Sequence, residues 1–144
     1  MAVLLIVAGV AIPLELGARM AANEAAVVSA MRTIATATVL YDAAYHQGYP
    51  SSLAALGPAN GAQTGASHAD IIDVVLASGT RNGYLFIYAP SDPSDAGQYS
   101  SYTVHASPLK PGLTGRNYFY LDQTTILRFK LGGPADATST PIPK

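Results

Sequence analysis

The chain has 144 residues, of which 12% are charged, and a formal net charge of −1. Scattered charges that nearly cancel give no electrostatic case for nucleic-acid binding. There is no cysteine to form a disulfide and no tryptophan, and the length suits one domain plus an extended helix.

Met1–Leu14 (MAVLLIVAGVAIPL) carries no charge and contains Gly9 and Pro13. Fourteen helical residues rise roughly 21 Å, short of the roughly 30 Å hydrocarbon core of a bilayer. No Lys or Arg precedes the run and no small-x-small site follows it, as a cleavable secretory signal requires. Three readings stay open: a core helix, an interfacial anchor, or a spanning segment that begins upstream of Met1. Pro13 removes one backbone donor and clashes with the carbonyl of Gly9, itself a weak helix former. The weak point of the helix therefore falls between Gly9 and Gly17, and by itself reads as a kink in a continuous helix.

The helical pattern continues without a linker to about Gln47. From Val27 the larger side chains recur as Val27, Met31, Ile34, Thr38, Tyr41 and Tyr45, a 4-3-4-3-4 spacing that makes one stripe. Asn23, Ser29, Arg32, Thr33 and Thr36 are assigned to the opposite side, where small residues permit close helix–helix approach. A stripe this narrow suits packing against one sheet. Glu15 and Arg19, spaced i, i+4, read as a surface pair worth a few tenths of a kcal/mol.

Gly48-Tyr49-Pro50 stops the helix. Leu53–Leu56 is expected to form a short helical turn, and Ala59–Ala66 a loop. Ser67-His68-Ala69-Asp70 fits a capping box that would start a helix over Ala69–Ala77, burying Ile72, Val75 and Leu76. The remainder reads as β-structure. Tyr84–Ala89 is apolar on both faces, as in a central strand. Ser101–Ala106 alternates, with Tyr102, Val104 and Ala106 inward. Asn117–Leu121 and Ile126–Leu131 follow, joined by a turn at Asp122–Thr125. The expected fold class is α+β: a long N-terminal α-helix packed on an antiparallel meander of about four strands. The organisation is a helix over 1–47, a globular head over 48–131, and a Pro/Thr/Ala-rich tail over 132–144, loose or strapped over the sheet.

No GxSxG or similar frame holds a serine in a nucleophile turn. His46 falls at a helix end, His68 in the capping box and His105 on the polar face of a strand, so each histidine has a structural explanation and no enzyme is expected. Asp92 and Asp95 in the loop Ser91–Gln98 are a weak calcium candidate, since the same composition is what a plain turn demands. No other metal site and no cofactor are expected.

Ala11–Gly57, containing AIPLELGARMAANEA and GYPSSLAALG, resembles the N-terminal helix and following loop of bacterial type IV pilins. Leu76–Tyr88 and Arg116–Arg128 are more loosely similar to sheet segments of the same family. The resemblance implies a pilin fold and a structural subunit that polymerises into a helical filament through its N-terminal helix. It implies residence in the bacterial inner membrane before assembly and on the cell surface afterwards. Its partners would be further copies of itself, the pilus assembly machinery and a prepilin peptidase.

Gly9, Pro13, Val27, Met31, Ile34, Tyr41 and Tyr45 become the candidate assembly residues, with helical bonding lost near Gly9 and Pro13 on packing. The basic leader, and a mature start such as FTLIE with its assembly glutamate, are not in the sequence. Registering Ala11–Pro13 on the family's Ala-Ile-Pro puts the mature start roughly nine residues upstream, for an apolar helix of roughly 34 Å. Glu15 follows Pro13 and is not the assembly glutamate. A pseudopilin of a type II secretion system is the nearest alternative, although the tryptophan-containing segment that accompanies the calcium loop of major pseudopilins has no counterpart. A membrane-anchored ligand-binding or enzymatic domain is the alternative of another class. Electron conduction along Tyr41 and Tyr45 has little support, since both belong to the packing stripe.

Overall fold

The computed structural model describes residues 2–144, and the side chains from Leu14 onward. Gly9 and Pro13, with the weak point expected at them, lie outside the residues so described in full. Helix α1 (Ala2–Tyr45) is followed by two single-turn helices, α2 (Leu53–Leu56) and α3 (Val74–Ala77). Six strands come next: β1 (Thr80–Arg81), β2 (Tyr84–Pro93), β3 (Tyr99–Pro108), β4 (Asn117–Asp122), β5 (Arg128–Leu131) and β6 (Thr140–Pro141). They pair antiparallel in chain order throughout, so the class is α+β with an uninterrupted meander.

The expected stripe is the helix's contact with the sheet. Val27, Met31, Ile34, Thr38 and Tyr41 are buried, and Tyr45 is partly buried against the same core. The facing surface is built from cross-strand rows, Phe86–Ala106–Phe119–Phe129 and Tyr88–Val104–Leu121. Each fully buried Ile or Met contributes about 1.5–3 kcal/mol, so the central residues Met31 and Ile34 bind helix and sheet into one unit. Tyr102, Val104 and Ala106 point inward as their alternation predicts.

Several expectations need correction. The sheet has six strands rather than four, because the two-residue β1 and β6 are too short to leave a periodic signal. Strands β2 and β3 extend to Pro93 and back to Tyr99, forming a hairpin arm longer than the apolar run suggested. β5 starts at Arg128 rather than Ile126. The tail is fixed to the edge of the sheet: β6 pairs with β5, the Ile142 amide donates to the Leu127 carbonyl at 2.7 Å, and Ala135 is buried. β2 is covered on one face only, leaving Leu85 and Ile87 exposed.

The helix expected over Ala69–Ala77 is reduced to Val74–Ala77, and Asp73 caps it in place of Ser67. The reason is competition for backbone donors. The amides of Ala69, Asp70 and Ile71 bond to the carbonyls of Ala55, Gly57 and Leu56, and Asp70 takes φ +54°, outside the helical region. Ile72 and Leu76 are buried as expected, but Val75 is exposed.

Glycine is required at two close approaches. Gly48 (φ +72°) lies in the turn that follows α1, and a Cβ there would lie 2.3 Å from the Tyr99 carbonyl oxygen. A Cβ on Gly115 would lie 1.9 Å from the Tyr84 hydroxyl oxygen, so the loop before β4 passes directly over that buried ring.

Candidate functional site

Helix α1 divides into two parts along its described length. From Val27 to Tyr41 one face is buried under the sheet; over Leu14–Ala22 only Met20 is buried. The candidate assembly residues Val27, Met31, Ile34, Tyr41 and Tyr45 are therefore brought together inside the subunit, facing its own head. The outward side carries Ser29, Arg32, Thr33, Thr36, Val39 and Leu40, all exposed.

Asn23 was expected on that outward side and is not there. Its Nδ2 donates to the Thr114 carbonyl at 3.0 Å. Next to it, Glu24 takes three bonds from the start of β4. Oε1 accepts from the Arg116 amide at 2.7 Å and the Asn117 amide at 3.0 Å, and Oε2 accepts from Asn117 Nδ2 at 2.7 Å. Bonds to a charged acceptor are roughly twice as strong as neutral ones. Together the two residues fasten the lower rim of the head to the helix. The available signal was the Asn-Glu pair itself, standing alone in an otherwise small and apolar stretch between Arg19 and Ser29.

The upper end of the helix enters a cluster of tyrosines. Tyr49 and Tyr88 pack on Tyr102 at centroid separations of 4.7 and 5.4 Å, and Tyr41 lies 4.9 Å from Tyr45. The Tyr102 hydroxyl meets Thr38 Oγ1 at 2.9 Å inside the core. Two other hydroxyls hold loops, Tyr41 donating to Ala66 O at 2.7 Å and Tyr88 to Pro50 O at 2.8 Å, and a third, Tyr84, donates to Asn117 O at the start of β4 at 2.8 Å. Among the described residues no buried side-chain polar atom lacks a partner. Burial pushes the hydroxyl pKa of Tyr84, Tyr88 and Tyr102 upward from the ordinary 10.0, because a phenolate would be desolvated there.

The remaining candidates do not converge. Asp92 accepts a bond from Ser101 Oγ at 2.5 Å within the β2–β3 arm, and Asp95 lies in its exposed tip. His46 and His68 are exposed at separate places, and no capping box forms at His68. His105 packs edge-on against Tyr120 on the outer face of the sheet. Among the described residues no group of three or more His, Cys, Asp or Glu side chains is placed to hold a metal ion.

Two open grooves border the outward side of α1. One, of about 620 Å³, runs between Ala35 and Val39 of the helix and Leu121, Ile126, Leu127 and Ile142. The other, of about 450 Å³, lies on the opposite flank, where Thr33 and Ala37 face Ile71. Arg32, Thr36 and Leu40 form the ridge common to both. Among the described residues no helix is long and apolar enough to cross a membrane. No protein-family model, curated protein or solved structure matches the chain.

Two outcomes follow from this geometry. Glu24→Ala leaves the Arg116 and Asn117 amides without their acceptor and should destabilise the protein by about 1–3 kcal/mol, read as a lower urea midpoint; an unchanged midpoint would contradict the clamp. In alkali, the raised tyrosine values mean that the folded protein holds these protons more tightly than the unfolded chain does. Their contribution to stability is complete below pH 10.0 and is lost as pH rises through the folded values. Tyrosinate absorbance from the buried rings should therefore appear above pH 10.0 together with loss of circular dichroism. All nine tyrosines titrating while the circular dichroism stays unchanged would refute it.

Proposed function

We propose that this chain is a structural subunit of a type IV pilin-like filament, with a pilin fold, that polymerises by packing its N-terminal helix among copies of itself. The observation that carries this reading is the division of α1. The head uses one face of the helix from Val27 onward, and Leu14–Ala22 is left with one buried side chain. The helical surface not used by the head is rich in small residues (Ala18, Ala21, Ala22, Ala25 and Ser29), all exposed, which lets neighbouring helices approach closely. The uncharged Met1–Leu14 continues the same helix in sequence, and the resemblance of Ala11–Gly57 to pilin helices agrees with this use.

On this reading the apolar N-terminus holds the subunit in the bacterial inner membrane, and then forms the filament core with the β head as its outer coat. Prepilin peptidase and the pilus assembly machinery would be its partners. A contact between two different surfaces of one chain, repeated without closing, generates a helical fibre. No side chain performs chemistry; the work is done by burying apolar surface between subunits. The test is negative-stain microscopy of the cells that make the protein, with mass spectrometry of sheared surface material. Fibres that contain this chain as a repeating subunit are expected. A chain recovered only as a monomer with a ligand in its head would contradict the proposal.

A further inference from the structure

We propose that the chain cleaves its own Asp92–Pro93 peptide bond, with the Asp92 carboxyl group as nucleophile and Ser100 as donor to the carbonyl under attack. Such a cut is independent of the filament reading: it modifies the subunit itself, plays no part in assembly and turns over no other molecule.

Asp92–Pro93 is the single Asp-Pro step in the sequence. It closes β2 in the β2–β3 arm, and both residues are exposed to solvent. The register pairs Ser91 with Ser101 and Pro93 with Tyr99. Asp92, between these pairs, takes φ +52°, the left-handed region in which a side chain crowds the carbonyl that follows it. Proline aggravates the crowding, since the residue before it is normally held extended. Breaking the chain at this point releases that strain.

Two serines of β3 reach Asp92 from across the ladder. Ser100 Oγ donates to the Asp92 carbonyl oxygen at 3.2 Å and polarises the carbon to be attacked. That bond is long at rest and gains strength as negative charge develops on the oxygen. Ser101 Oγ donates to Asp92 Oδ2 at 2.5 Å and meets Ser91 Oγ at 2.7 Å, so Ser101 is a positioning residue for the carboxyl group.

The chemistry balances with water alone. Asp92 Oδ1 adds to the carbonyl carbon of its own residue and closes a five-membered ring, an attack that needs no encounter. The bond from that carbon to Pro93 N then breaks, and the nitrogen takes a proton from solvent and leaves as a secondary amine. Water opens the cyclic anhydride so formed, giving Asp92 a free α-carboxyl group beside its side-chain carboxyl. Pro93 is a suitable leaving group because its nitrogen is a tertiary amide without an N–H to lose from the ladder. Asp95, in the same tip, precedes Ala96 and lacks that leaving group. After the cut Tyr84–Ser91 keeps its pairing with Ser101–Pro108, so both fragments share one sheet.

The test follows the full chain by mass spectrometry in mildly acidic buffer, which supplies the proton that the leaving nitrogen needs. Fragments 1–92 and 93–144 should appear, with masses that sum to the intact chain plus one water. The folded chain should cleave about tenfold faster than the same chain unfolded by urea at the same pH, at a rate independent of protein concentration. Asp92→Asn should not cleave, and Ser100→Ala should slow cleavage about fivefold. Ser101→Ala should slow it as well, and Ser101→Thr, which keeps the hydroxyl, should restore it. Circular dichroism checks that each variant is folded.

Cleavage no faster in the folded chain than in urea overturns the proposal, because the bond would then have only the lability of any Asp-Pro step. An unchanged rate in Ser100→Ala, or cleavage of Asp92→Asn, overturns it too. So does a rate that rises with protein concentration, which would assign the cut to a second molecule.

Discussion

The whole molecule depends on one face of one helix being wedged against the meander. Met31, Ile34 and Thr38 have no exposed surface, and neither do Tyr102 and Val104 opposite them. The inner face of the sheet needs an apolar partner to shield it from water, and a helix of this composition has only a narrow apolar stripe. Each supplies what the other lacks. The polar contacts are arranged so that this apolar seam costs nothing in lost hydrogen bonds: Thr38 meets Tyr102, Tyr41 and Tyr88 each spend a hydroxyl on a loop carbonyl, and Tyr84 spends its own on the Asn117 carbonyl at the start of β4. Asn23 and Glu24 then define where the seam ends, by fastening the loop before β4 to the helix.

That ending gives the molecule its functional asymmetry. Above it, the helix belongs to the head. Below it, Leu14–Ala22 keeps helical form with almost no burial, and the Glu15–Arg19 pair along it is exposed and structurally cheap. A stretch of helix with one buried side chain, Met20, has surface to share, and its alanines are the side chains that let a second helix come close. The proposed filament follows from that arrangement.

How much of this was legible in the sequence differs from element to element. The stripe from Val27 to Tyr45 and the inward set Tyr102, Val104 and Ala106 were readable because burial on one face imposes a period on the residues themselves. The antiparallel meander was readable because no helix separates the strands. β1 and β6, at two residues each, are too short to carry any period. The Ala69–Ala77 helix was misjudged because its local cap signal lost to carbonyls of the 55–57 turn, a tertiary partner invisible to local pattern. The Glu24 clamp joins residues more than ninety positions apart, and nothing in either segment names the other. Of the candidate site, the stripe was located correctly in sequence, but it faces the subunit's own sheet. The outward surface with its two grooves became visible only when the folded flanks were in place.

Hydrogen exchange of the full subunit before assembly addresses the division of α1 most directly. The amides of Val27–Tyr41 should exchange only on global unfolding, at the same rate as those of β3. The amides of Leu14–Ala22 should exchange much sooner, by local opening. Equal protection along the whole helix from Leu14 to Tyr41 in the unassembled subunit would contradict the account, because the lower segment would then be held by its own head.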